Sequence, residues 1–246
     1  MTTMRRQLSY GGSIPLLGHG TFTDSLNGDA IEAAIIKAIQ IHWPVKLKPW
    51  AYNLVPKEDE FNELDLETTW AHMEKCVDLG LSKTIGVSNF SSNKILQLLD
   101  LASLPRPLIR HVELHLMWSQ RKLRKVCCLN NVHLTAYSPL GSPWNPCGLK
   151  NLLKHPIVQS IASKHKATPA QVALSWILSI GASAVVRSFN ESRLEENMAS
   201  FALKLDKEDL KEIDKLEEKK MATGQFLVNG TTSQYKNIQE LWDGEI

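Results

Sequence analysis

Five short stretches of the chain carry side chains able to hold charge or move protons. They are His42 in IHWP, Ser88-Asn89 in GVSNF, Glu113 and His115 in VELH, Tyr137-Ser138 in AYSP, and Arg187-Ser188 in VVRS. Histidine titrates near neutrality and can orient a substrate oxygen by a hydrogen bond. Arg187, with Arg193 six residues on, suits a phosphate at a helix start through charge-assisted forks. His111, Glu113 and His115 alternate, so one strand face would carry all three, a spacing from which a metal site is conceivable. Each stretch also has a plain reading. A lone strand-end histidine is by default a satisfied polar residue, a serine–asparagine pair after a strand is a helix cap, and arginines in a first turn are solvated.

The elements that must position these residues repeat one order. KTIGVSNF (83–90) is a β-rich run followed by SSNKILQLLDLA, where Ser91 or Ser92 can cap a helix. IRHVEL (109–114) precedes SQRKLRKVCCL, and VHLTAYSP (132–139) leads through a Pro/Gly-rich loop into helical runs at 151–165 and 169–180. ASAVVRS (182–188) is followed by SRLEENMASFAL, and 206–220 reads as a charged amphipathic helix. Strand–loop–helix repetition predicts a parallel sheet, because parallel strands need crossover helices. RRQLSYGGSIPLL differs and reads as a small hairpin around Gly11-Gly12. The chemistry-bearing residues all fall where a strand gives way to a loop, which is the rim that forms the active site of α/β barrels. A doubly wound sheet would use the same edge, but no G-x-G-x-x-G follows the first strand. An α/β barrel is the better reading.

Composition narrows the function. The chain has 246 residues, 43% hydrophobic and 22% charged, which is ordinary globular composition and predicts a single domain over 1–246. A net charge of +2 without a basic stripe gives no support for nucleic acid, and no apolar run reaches transmembrane length. MTTMRRQLSYGG lacks the apolar core of a signal peptide. Cys76, Cys127, Cys128 and Cys147 have neither metal-ligand spacing nor a disulfide framework, which fits reduced thiols and a cytoplasmic location.

IHWPVKLKP, TTWAHMEKCVDLGLSKTIGVSNF, AYSPLGSP, RSFNESRLEEN and the closing ELWDGEI together resemble the aldo-keto reductase family, in its plant branch of codeinone-, methylecgonone-, chalcone- and galacturonate-reductase-like enzymes. The resemblance implies a (β/α)8 TIM barrel that binds NADPH or NADP+ and reduces an aldehyde or ketone of a small-molecule carbonyl substrate. It further implies an Asp-Tyr-Lys-His tetrad, in which tyrosine donates the proton and histidine orients the carbonyl. His42 matches that histidine, with Trp43 as the adjacent substrate-wall aromatic. By the same resemblance Ser88 and Asn89 hold the nicotinamide carboxamide, and Tyr137 stacks under its ring. Ser138, Leu140 and Ser142 run along the pyrophosphate, while Arg187, Ser188 and Arg193 clamp the 2′-phosphate. Glu196 and Asn197 meet the adenine, and Thr21 survives in GHGTF.

The departures are as informative as the matches. Arg187 replaces a lysine, keeping charge but changing geometry. Arg110-His111 stands where the family has Asn-Gln, so His111 takes the place of a carboxamide-binding glutamine, and Phe22 stands where tryptophan is common. The aspartate, tyrosine and lysine of the tetrad have no counterpart; Tyr10, Tyr52 and Tyr235 cannot be assigned the tyrosine's role. A helical stretch, SLNGDAIEAAIIKAI, runs to Ala38 and within two residues becomes the strand end IHWP. Losing two βα units would remove on the order of 60 residues, and Ile39-Gln40-Ile41 is where such a deletion fits. The expected fold is therefore an incomplete barrel. Two functions follow, a carbonyl reductase by inheritance or a catalytically inactive NADP(H)-binding remnant. Family members are usually monomers, but unpaired strand edges would favour association.

Overall fold

The computed structural model describes residues 5–7, 13–15, 17–19, 38–51, 53, 55–102, 108–143, 145 and 148–246. Contacts gather into two compact units, one of 1–26, 111–121 and 133–221, the other of 27–110, 122–132 and 222–246. Among the described residues no helix is long and apolar enough to cross a membrane. Cys76, Cys127 and Cys128 are free thiols, and burial pushes that of Cys127 up to about 11. Cys147, Thr21, Phe22 and the Gly11-Gly12 turn lie outside the described residues.

In the first unit, Arg5–Gln7 pairs antiparallel with Ser13–Pro15, with Arg6 opposite Ile14, as expected of the N-terminal hairpin. Leu17–His19 then pairs parallel with Ser183–Val186, which pairs parallel with His133–Tyr137. Ala136, Ala184, Leu152, Val158, Leu174 and Ile177 are all but fully buried. Each helix starts at a residue suited to the task. Thr168 accepts from Gln171 N in a capping box with Pro169 at the first turn, and Asn190 accepts from Arg193 N at 3.0 Å. Two helices are shorter than the sequence suggests. Pro156–Lys164 begins only at its proline, because proline fixes φ and gives up an N–H that a first turn leaves unpaired. Lys207–Ile213 ends at Asp214, after which Leu216 turns inward to burial.

In the second unit, Ala38–Ile41 is a four-residue strand, parallel to Thr84–Ser88 in the register Ala38 to Thr84 and Ile41 to Val87. This corrects the reading that carried helix through Ala38. Pairing with Thr84–Ser88 decides the matter, because tertiary hydrogen bonding outweighs local propensity over so few residues. Leu66–Asp78 is capped by Asp65, and Ser92–Leu101 by Ser91, whose side chain accepts from Lys94 N. Ile85, Val87, Phe90, Ile95, Leu98 and Leu241 are at most 1% exposed and form the core here. The Leu108–Glu113 strand carries the chain from this unit into the first, where Leu114 N donates to Tyr137 O at 3.4 Å.

Candidate functional site

Within the second unit, parallel register does the positioning. Ile41 lies opposite Val87, so His42 and Ser88 leave their strands side by side. Asn89 Nδ2 donates to His42 O at 2.9 Å and to Ser88 Oγ at 3.2 Å. Ser88 and Asn89 are each 1% exposed, and Asn89 takes φ 59, a left-handed conformation of the kind concentrated at functional sites. His42 is itself exposed, yet the surrounding protein desolvates its ring enough to hold its pKa below the ordinary value. The imidazole is therefore neutral at pH 7, able to donate through one nitrogen. Trp43 meets the edges of Phe226 and Trp242, with ring centroids 5.9 Å away in both cases. Gly224, at φ 74, closes this cluster, since a Cβ there would lie 2.9 Å from Trp43 Cζ3 and 2.8 Å from Leu241 Cδ2.

The first unit contributes two further groups. Tyr137 ends its strand half-buried, with its ring perpendicular to that of His111 at 5.5 Å. After it the loop winds tightly. Ser138 and Ser142 both have positive φ and share a hydrogen bond of 2.8 Å between their hydroxyls, and Leu140 between them is half-buried. Gly148 seals the loop, because a Cβ there would sit 1.8 Å from Ser142 O. The second group lies at the Glu191–Ala199 helix. Arg187 and Arg193 are exposed, and Ser188 Oγ accepts from Asn190 N at 3.2 Å, fixing the approach to the first turn. Glu196 and Asn197 are placed differently. Glu196 Oε1 accepts from Thr168 Oγ1 at 2.5 Å and its carbonyl from Gln171 Nε2 at 3.0 Å, while Asn197 is buried. Both follow Arg193 on this helix by three and four residues.

His111, Glu113 and His115 do not converge. Glu113 and His115 are fully buried and pair with each other, Nε2 to Oε1 at 3.0 Å, with Met221 N also donating to that oxygen at 2.8 Å. Among the described residues, the His, Asp and Glu groups that do approach as metal ligands are His165, Asp206 and Asp209. There the Lys164 ammonium already sits 2.6 and 2.8 Å from the two carboxylates. Sequence reasoning missed the roles of Phe226 and Trp242 against Trp43 and of Phe189, 81% exposed beside Ser188. ELWDGEI was the only signal for the tail, and it says nothing of which residues the tail touches.

Within the second unit, amide and hydroxyl groups of a kind that bind a carboxamide gather at one strand end. Within the first, an aromatic ring ends a strand and two guanidinium groups lie at a helix N-terminus, where backbone N–H groups attract anions.

Comparison with known proteins gives the family. Residues 30–218 match the aldo/keto reductase family. The chain is 39% identical over 206 residues to aldo-keto reductase family 4 member C11 of Arabidopsis thaliana, covering 84% of this chain and 64% of that protein. It is 35% identical to deoxymugineic acid synthase 1 of Zea mays, covering 88% of this chain and 68% of the relative. The aldose reductase structure from Schistosoma japonicum superposes with a TM-score of 0.70 at 32% identity, over 81% of this chain and 64% of that one. The chain thus spans less than two thirds of the length of the Arabidopsis relative and of the Schistosoma structure, 64% in each case. The parallel strands, the helices that follow them and these matches agree that this is an α/β chain of the (β/α)8 barrel type and that it belongs to the aldo-keto reductase family.

Proposed function

We propose that this chain binds NADP(H) and can orient a carbonyl oxygen, but that its sequence carries no counterpart of the family's proton-donating tyrosine. The reading rests above all on one observation, the delivery of His42 beside Ser88 and Asn89 by parallel pairing. A bound nicotinamide supplies hydride. Ser88 and Asn89 would hold its carboxamide, and Tyr137 would give the ring a flat apolar face. Arg187 and Arg193, with Ser188, would hold a 2′-phosphate, which makes NADPH the preferred form. Neutral His42 would donate to the substrate oxygen against the wall formed by Trp43, Phe226 and Trp242. The inherited activity is carbonyl reduction, and the tetrad residues other than histidine have no counterpart in the sequence.

The test is fluorescence titration with NADPH and NADH, on the parent and on Arg193→Ala. A charged hydrogen bond contributes about 1.5–3 kcal/mol, so the parent should prefer NADPH by roughly ten- to a hundredfold and the variant should lose most of that preference. Equal affinities in the parent would overturn the reading.

A further inference from the structure

The last four residues of the second unit do more than end the chain. Asp243, in the left-handed region at φ 52, accepts from Ser91 Oγ, and its Oδ2 lies 2.8 Å from the Lys94 ammonium. Lys94 is 6% exposed; its Nζ also donates to Glu240 O at 3.3 Å and rests 4.8 Å from the ring centroid of Tyr235. Glu245 Oε2 accepts from Ser92 N at 2.9 Å and from Ser92 Oγ at 3.0 Å, and its Oε1 lies 2.8 Å from Lys122 Nζ. Two carboxylates therefore sit at the start of the Ser92–Leu101 helix, where an N-terminus favours negative charge. One of them takes an otherwise unpaired first-turn N–H.

These contacts form a closed ring. Ser91 follows Asn89 by two residues, and Asn89 Nδ2 holds His42 O. The ring of His42 lies 6.2 Å from that of Trp43, which meets Trp242, the neighbour of Asp243. Trp242 is tied down in turn by its Nε1, which donates to Thr223 O at 2.7 Å. Tail, helix start, Asn89, His42 and Trp43 thus hold one another.

We propose that Asp243 and Glu245 are positioning residues, an electrostatic clasp that keeps the His42–Asn89 pair and the aromatic wall in the arrangement that receives the cofactor and substrate. The inference rests on the reading that this unit takes part in binding NADP(H). Without the carboxylates the buried ammonium of Lys94 loses its counter-charge and Ser92 N its acceptor, so the helix start loosens where Asn89 joins it.

The experiment combines two readouts on the full chain, comparing the parent with the Asp243→Asn/Glu245→Gln double variant. Trypsin cleavage at exposed Lys236, without cofactor, reports whether the tail is closed. NADPH titration reports the half-site. In the parent, cleavage should be slow at low salt and quicken as salt is raised, because Lys122 is 65% exposed and its pairing is screened. The double variant should be cut rapidly at every salt concentration and bind NADPH at least ~5-fold more weakly, the lower edge of site-to-site couplings. Asp243→Glu, which keeps the charge, should stay resistant to cleavage. Should the double variant fail to fold, Lys122→Gln carries the test, with faster cleavage and loss of its salt dependence expected. Cleavage and NADPH affinity both unchanged would overturn the clasp. A parent that takes up no NADPH would overturn the functional reading instead, and cleavage would still judge the clasp.

Discussion

His42 follows the last paired residue of its strand, and its environment favours the neutral ring. A histidine whose folded pKa is depressed costs nothing above its unfolded pKa, where both states are neutral. As pH falls below the ordinary 6.5, the unfolded chain gains the proton first, and folding stability declines until the folded ring also titrates. A proton NMR titration should place the His42 midpoint below 6.5, with denaturant midpoints falling over the same range in the parent and less in His42→Gln. A midpoint above 6.5 would contradict the desolvation described here. The same residue shows what sequence can and cannot convey. IHWP, GVSNF and AYSPLGSP were legible as strand ends because each packs the end of a strand and the polar side chain that follows it into a few consecutive letters. Phe226 and Trp242 were not, since their role depends on touching Trp43 from the far end of the chain.

At the scale of elements, one cap was legible: Ser91, read with Ser92 as a candidate ahead of an apolar run, does cap its helix. Thr168 and Asn190, small polar residues of the same kind, cap theirs. Thr168 has two tasks, since its hydroxyl accepts from Gln171 N and donates to Glu196 Oε1. Thr168→Ala should lower stability by about 0.5–2 kcal/mol, the usual cost of losing a cap, with thermal melting as the measurement. Thr168→Ser should recover most of the loss, because the hydroxyl is kept. The boundary at Ala38 was not legible. Helix and strand compete there over a few apolar residues, and only the distant Thr84–Ser88 strand settles the contest. That Glu196 accepts from Thr168 and that Asn197 is buried was likewise not legible, since both depend on packing between residues far apart in sequence.

For the whole molecule, length is the governing fact. The chain reaches 64% of the length of its Arabidopsis relative, and the segment expected to hold the proton donor has no counterpart in the sequence. We expect purified protein to show no NADPH-dependent reduction of common aldehydes above background, since loss of a general acid alone costs about 10²–10⁴-fold. Inserting a family segment that spans the second to fourth strands between Ala38 and Ile41 should restore turnover, and His42→Ala in that restored chain should impair it. Turnover by the 246-residue chain itself, abolished by His42→Ala, would overturn this account. Among the described residues Ala38–Ile41 also stands at the end of the strand order, and an edge strand offers unpaired N–H and C=O groups to another chain. Light scattering after size exclusion should therefore report dimers or larger species; a monodisperse monomer with a sharp melt would show the edge is satisfied.

The pairing of Ile41 with Val87 sets a parity rule for any such graft. Side chains alternate across a strand with a period of two, so the backbone phase at which new sequence enters Ala38 decides which way every later residue points. An insert that ends in phase delivers the His42 carbonyl to Asn89 Nδ2 unchanged. An insert one residue out of phase keeps every letter of IHWP yet turns the imidazole and the indole to opposite sides of the sheet. Two variants of almost identical sequence would then differ as active and inert, and the odd–even pattern of activity across a short series of insert lengths would read out the register directly.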